Sequence, residues 1–524
     1  MFDTRLSPIL QSRNALRRLT LLDAVYAALV LELTFLAARV WWLSTIVPGQ
    51  DYPQFLVFVR VARDYADPSS PFHGTYTLAP WFLPTSLPIQ LTRALSLLFG
   101  GSIELGAKLL LTLQNVSLVV ASAYLLRVLG RPRWAIVLLF PFVHSRWTVM
   151  GGFVPYATAF PLVVLGWALT VRWFRRLDPM SGAYLALCLC VTLLWHGVAF
   201  GAAGLGFAGL WLLWRAPSQP ARMMSVVPTV PSLVQMAVWL GSTFQKNAES
   251  PGWTWRTFWE ACDHLTDHVL PTVPHRPAIA LLLAIIVLGG LVVSRRSEGA
   301  TGPAARMWRV ENPFLIVASL YLAAYFLFPE NGLGVAVLSP RFSIHAAMAA
   351  VFAWNLPAER VARVGVLAAV TAFACWRLND VAARFREFDA ETRGASYLMD
   401  EVGLHETLYN PPDKNGASDA FDTPNKALIE LEQFSTVRHG GLPNSSFAGY
   451  GMNYVRYVNG NPMPSLHGAP TRGPGMTRFD YVLTKVGQGP ADPGFRLLDE
   501  KWGWQLYAVC GSNRFRVCGS GAKP

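Results

Sequence analysis

Charge is what this chain has least of. Only 15% of its 524 residues are Asp, Glu, Lys or Arg, where soluble domains carry about a quarter, and the shortage excludes an ordinary soluble fold. Cysteine offers no framework either. Six are present, with Cys188, Cys190 and Cys375 inside apolar runs, so neither a zinc site nor a disulfide scaffold is signalled. Cys510 and Cys518 are the pair that could bridge. Acids and bases are also scarce inside the apolar stretches, Glu32 and Lys108 excepted. A transporter or flippase would want such groups near the middle of several spans, and no inverted repeat is visible in the order of segments.

Apolar residues take the vacated share: 52% of the chain is hydrophobic, with 19 Trp, and the mean hydropathy is +0.32. Stretches near the roughly 20 residues needed to cross a bilayer recur along most of the length, which a single cleaved signal peptide cannot explain. Length and apolar continuity predict spans at 21–47, 103–127, 134–149, 155–173, 181–197, 198–214, 226–243, 277–294, 313–329, 334–356 and 360–377. The expected fold is an α-helical polytopic membrane protein with about eleven spans.

The net charge is +12, but Lys and Arg cluster between apolar segments, a pattern that orients a protein in a membrane rather than on nucleic acid. Arg13, Arg17 and Arg18 put the N-terminus inside, so PGQDYPQFL at 48–56 emerges outside with Asp51. Segment 79–99 is apolar, with three prolines early and Arg93 late. If it crossed, the clusters Arg127/Arg131/Arg133 and Arg172/Arg175/Arg176 would lie outside. Laid in the interface as an amphipathic helix, it moves them inside together with Arg215/Arg222, Arg295/Arg296/Arg306/Arg309 and Arg360/Arg363. The cytoplasmic membrane is the expected location, and the outer face then collects loop 48–102, most of the unusual polar residues and the C-terminus.

Near residue 378 the composition shifts toward Asp, Glu, Asn, Gly and Pro, and apolar runs shorten to strand length, as in FDYVLTK (479–485) and WQLYAVC (504–510). Two units are expected: a transmembrane domain, 1–377, with its first outer loop at 48–102, and a small extracytoplasmic α/β domain, 378–524.

Asp51 follows Pro48-Gly49, which ends the first helix and offers a carboxylate at the membrane edge. Partial burial would raise its proton affinity toward that of a general base, although acids are also common just past a span. Arg60, Arg63 and Asp64 have the spacing of a solvated helix face, with His73 following. His144 and Arg146 end the third span and His196 the fifth. Outward histidines beside Asp51 can form a site or bind a divalent ion, or can be ordinary helix-end residues. Arg341 and His345, in VLSPRFSIHAAM, open a span from outside. A guanidinium there suits a phosphate, or it pairs with Glu330. Trp253, Trp255 and Trp259 read as an interfacial belt.

Taken together, these features resemble the GT-C superfamily of polytopic glycosyltransferases, which includes protein mannosyltransferases and aminoarabinose transferases. The resemblance lies in the outward acidic loop QDYPQFL and the Pro-containing interfacial segment WFLPTSLPIQLTRALSLLFGG. It continues in AYLLRVLGRPR, in SPRFSIHA, and in a closing outward domain. In that superfamily the first-loop acid serves as catalytic base, or binds a divalent metal and the acceptor, and the donor is usually a polyprenyl-phosphate sugar. Carried over, the resemblance implies Asp51 as base and Arg341 at the lipid phosphate. The outward residues His345, His73, His144, Arg146 and His196 are the remaining candidates for contact with the substrate, and the resemblance implies a lipid-linked donor and membrane lipid as partners. Many members have two adjacent acids; here Asp51 lies between Gln50 and Tyr52. The expected function is sugar transfer from a polyprenyl-phosphate donor on the extracytoplasmic face, with a transporter or flippase and a non-catalytic assembly protein as the alternatives.

Overall fold

The computed structural model describes residues 21–131, 133–146, 151–244, 253–270, 307–310, 312–331, 337–354, 359–411, 417–421, 427–444, 454–459 and 475–512, with positions 448, 463, 514 and 515. The apolar runs form helices: α1 (Leu21–Arg39), α4 (Ile103–Leu129), α5 (Phe160–Arg176), α6 (Pro179–Trp195), α7 (Gly197–Leu213), α8 (Val230–Phe244), α10 (Pro313–Leu327) and α11 (Phe342–Ala353), then α12 (Arg360–Met399). Between α1 and α4 lie α2 (Tyr52–Asp64), the short strand β1 (Tyr76–Leu78) and α3 (Ser86–Ser96); α9 (Phe258–Val269) precedes α10. Local chemistry sets several ends. Ser102 caps α4, with its hydroxyl accepting from the Leu105 N–H, and Gly130 closes that helix at φ +68°. Asp178 caps α6 ahead of Pro179 in the first turn.

Among the described residues, stretches within Ala24–Trp42, Ile103–Leu129, Val154–Arg176, Gln219–Gly241 and Val361–Met399 are long and apolar enough to cross a bilayer, and several shorter apolar helices pack beside them. The expected span at 277–294 lies outside the described residues. The segment expected to span at 134–149 differs: it is a 3-10 helix, Arg133–Phe142, with Pro141 inside it. Its steeper rise of about 2.0 Å per residue carries ten residues about 20 Å. Segment 79–99 is α3, lying against α2 and α4. It buries Ile89, Thr92 and Ser96 and leaves Leu97 and Leu98 exposed just beyond its end.

α12 runs unbroken for 40 residues, about 60 Å, through the position near 378 where composition changes. Its polar half is laced with Arg377–Asp380, Arg384–Glu387 and Arg393–Asp389 pairs at helical spacing. Beyond it come β2 (Leu408–Tyr409), α13 (Gln433–His439), β3 (Val455–Tyr457), β4 (Tyr481–Lys485), β5 (Phe495–Lys501) and β6 (Trp504–Val509). A four-stranded sheet has the order β2-β4-β6-β5, with β2 parallel to β4 and the other pairs antiparallel. β1 pairs with β3, Tyr76 opposite Tyr457, so the loop that follows α1 and the C-terminal region share a sheet. Cys510, just after β6, is disulfide-bonded; Cys518 lies outside the described residues.

Candidate active site

Two glycines seat Asp51. Gly49 has φ +141°, and a Cβ there would fall 2.7 Å from Gly152 Cα; Gly152 has φ +65°, and its Cβ would fall 2.6 Å from Tyr52 N. Only bare backbone fits on both sides of this crossing. The Asp51 N–H donates to Gly151 O at 3.0 Å, and Phe55 N–H donates to Asp51 O at 3.1 Å to begin α2. Asp51 is the N-cap residue of that helix, yet its side chain caps nothing. The residue is half-buried, but its Oδ1 is enclosed and accepts no hydrogen bond. Burial pushes the carboxyl up to about 7, against the lowering influence of the Arg341 charge.

Arg341 ends the short 3-10 turn Ser339–Arg341 that leads into α11 and is 6% exposed. Its guanidinium carbon lies 4.3 Å from the Phe153 ring centre and 5.3 Å from that of Tyr156. The Tyr156 hydroxyl donates to Arg341 O at 2.5 Å and lies 3.0 Å from His345 Nε2. A phenol has one proton, so His345 donates to it through Nε2–H.

His196 caps α7: its Nδ1 accepts from the N–H groups of Val198 (3.1 Å) and Ala199 (3.4 Å). A ring that accepts at Nδ1 is neutral and carries its one proton on Nε2. Arg341 Nη1 sits 3.3 Å from that Nε2. With that tautomer the guanidinium and the imidazole present two N–H donors 3.3 Å apart, which do not satisfy each other.

Asp51, Arg341, His196 and His345 are therefore brought together, with His345 acting through Tyr156. Arg146 stands behind them: its carbonyl accepts from Gly151 N–H at 2.8 Å, and its side chain lies 3.9 Å from Asp267. His144 belongs to the scaffold instead, hydrogen-bonded to Ala37 O at 3.0 Å and packed edge-on to Trp41. His73 is exposed, with Nδ1 3.3 Å from Tyr65 O. Both histidines are engaged away from Asp51. Glu330 does not take the role of Arg341's partner; it lies 3.8 Å from Arg256.

Residues far along the chain complete the surroundings. Glu430 and Glu432, on the turn entering α13, are 9% and 2% exposed. Glu430 is hydrogen-bonded to Gln54. Burial holds its carboxyl well above the usual range, helped by the charges of Asp51 and Glu432. Glu432, bonded to Asn410, is pushed up to about 8 by burial. Two acids in the apolar stretch ALIELEQF were visible in the sequence, but nothing local pointed them at Asp51. Among the described residues no set of three or more His, Cys, Asp or Glu is placed to hold a metal ion.

No protein-family model matches the chain, and no curated protein does either. Among solved structures, apo ArnT from Cupriavidus metallidurans matches with a TM-score of 0.53 at 13% identity, over 93% of this chain and 97% of that one. The structure of ArnT from the same organism bound to undecaprenyl phosphate matches with 0.50 at 12% identity, over 93% and 98%. At such identity the likeness concerns the fold alone: over nearly its full length the chain shares the architecture of these ArnT structures.

Proposed function

We propose that the protein is a GT-C glycosyltransferase of the cytoplasmic membrane, transferring a sugar from a polyprenyl-phosphate donor to an acceptor on the extracytoplasmic face. The observation that carries this reading is the enclosed Asp51 carboxyl within the field of Arg341, whose guanidinium converges with the His196 Nε2–H. Asp51, with its proton affinity near neutrality, takes the proton of the acceptor hydroxyl. The acceptor oxygen bonds to the anomeric carbon as the bond from that carbon to the phosphate oxygen breaks. The leaving phosphate keeps the electron pair, and its charge is met by Arg341 and His196.

Three further features support the reading. ArnT, whose fold the chain shares, has been seen with undecaprenyl phosphate. An apolar groove of about 750 Å³ runs between α4, α5 and α6, lined by Val120, Leu165, Leu187 and their neighbours, and suits a hydrocarbon tail. The disulfide at Cys510 suits an oxidising outer compartment.

The test is sugar transfer by the intact protein in lipid nanodiscs, assayed with a panel of polyprenyl-phosphate pentoses and hexoses. Asp51→Asn should lower kcat by roughly 100-fold or more while the variant unfolds at the wild-type temperature. Undiminished turnover in that variant would remove Asp51 as the base and the mechanism with it.

A further inference from the structure

Trp253, Trp255, Phe258 and Trp259 all stand exposed on the short segment that leads into α9. Burying one large apolar side chain stabilises a fold by about 1.5–3 kcal/mol, so four left open together mark a contact surface. The rings of Trp253 and Trp255 are nearly parallel, 6.1 Å apart. Phe258 packs against Phe326 at 5.1 Å, in the last turn of α10. That helix has 15 residues and no charged side chain, and Ile316, Ala323 and Leu327 are exposed at the spacing of one face. An apolar face of that kind on a multi-pass protein meets lipid. Leu327, 73% exposed, and Phe328 carry this face to the end of α10, where the aromatic segment continues it.

The same segment is fastened to the turn that carries Arg341. The Thr254 N–H donates to Asn331 O (3.1 Å), and its carbonyl accepts from Glu330 N–H (2.7 Å). Pro329 and Glu330 accept in turn from Ser339 N–H (3.2 Å) and Leu338 N–H (2.5 Å), just ahead of Arg341. Arg256 is enclosed among these residues: it lies over the Tyr325 ring at 5.0 Å, donates to Ser339 Oγ at 3.5 Å and is 3.8 Å from Glu330. The Tyr325 hydroxyl donates to Ala261 O at 2.7 Å, which ties α9 to α10. Near the other end of α9, Asp267 faces the side chain of Arg146 at 3.9 Å.

We propose that residues 253–269 form an interfacial strap, whose aromatic face rests in the headgroup region of the bilayer beside α10 and whose inner face, through Thr254 and Arg256, positions the turn that carries Arg341. Indole rings suit that depth, being apolar in body with one polar N–H. Glu260, Asp263 and His264 are exposed on α9, as an interfacial helix needs on its watery side. A segment with so little apolar burial of its own has few contacts to hold it still, and the membrane surface supplies the rest. Arg256 touches no reacting atom, so its role is positioning. The lipid contact stands independently of the reaction; the positioning role rests on the glycosyltransferase reading, in which Arg341 meets the donor phosphate.

Two measurements on the intact protein in nanodiscs test the proposal. The first takes the emission of the three indoles as the difference between the wild type and the triple variant Trp253→Phe, Trp255→Phe, Trp259→Phe, which keeps the face apolar. Lipid brominated near the headgroup should extinguish most of that difference; a difference it leaves unchanged overturns the lipid contact. Aqueous iodide then tells what the face meets instead: quenching means water, open to a carbohydrate or a partner protein, and no quenching means cover by protein such as a second copy of this chain. The second is turnover with the polyprenyl-phosphate sugar panel. Arg256→Gln should raise the donor KM about two- to tenfold, the range of one hydrogen bond, with kcat nearly unchanged. Arg256→Lys, which keeps the charge over Tyr325, should restore it. A kcat and an unfolding temperature that fall together in both variants would make Arg256 a structural residue and overturn the positioning role. If Asp51→Asn is inactive while Arg256→Gln keeps the wild-type KM, the positioning role is refuted and the function stands. If Asp51→Asn is fully active, the glycosyltransferase reading falls and the positioning role with it, and the quenching result alone decides the lipid contact.

Discussion

Arg341 and Asp51 define one another. The guanidinium is the nearby cation that opposes the effect of burial on the carboxyl, so its loss should raise the proton affinity of Asp51 further. Arg341→Gln is therefore expected to move the acid limb of the kcat/KM profile upward from about 7. A limb that stays in place would show that Arg341 does not act on the base. Arg341→Lys keeps the charge but loses the planar fork, so the limb should stay while kcat/KM falls by roughly tenfold or more. Position along the chain was enough to single out both residues: one closes an apolar run and the other opens one. The same signal also picked out His144, which ends an apolar run and hydrogen-bonds the α1 carbonyl of Ala37. A histidine at a helix end looks the same in sequence whether it faces a ligand or a neighbouring helix.

Among the elements, the crossing of the loop at Gly49 with the loop at Gly152 decides where Asp51 points. Gly152→Ala would force a Cβ to within 2.6 Å of Tyr52 N at a φ of +65°, a strain of about 1–3 kcal/mol delivered one residue from the base. The expected result is a large loss of kcat with only a few degrees' loss in unfolding temperature, checked by assay and calorimetry on one preparation. Equal and small effects on both would show that the crossing does not control the site. Sequence pattern assigned segment 79–99 to the interface from the charge clusters that follow it; in the structure its helix α3 buries one face against α2 and α4. Pattern could not foresee the 3-10 geometry of Arg133–Phe142, because an apolar run of that length satisfies either helix type until its neighbours fix the space.

In the molecule as a whole, the C-terminal region is bound to the segment between α1 and α4 by β1–β3 and α2–α13 and joined to the apolar helices by α12. Its buried acids make that union depend on pH. Glu432 has a folded-state affinity raised from 4.5 to about 8, so the folded protein holds a proton that the unfolded chain releases. Stability is unaffected below about 4.5 and falls as pH rises toward about 8, by at most about 1.4 kcal/mol per pH unit for this group. Glu432→Gln should therefore match the wild type near pH 4.5 and unfold at a higher temperature at pH 8. A variant equally stable at both ends would show that Glu432 is not buried as a neutral acid.

The recurring apolar stretches of near span length pointed to a helical membrane protein, because a helix satisfies its backbone polar groups within a single segment of a bilayer. Clusters of arginine and the apolar breaks were enough to pick out the loop at Asp51 and the span opening at Arg341, since these are local features. What the linear chain could not express was the approach of Glu430 to Gln54, or the opposition of two donors at Arg341 and His196. Those follow from the packing of α13 on α2 and of α11 beside α7, where the companion of a residue is set by which helices touch and not by which residues are adjacent.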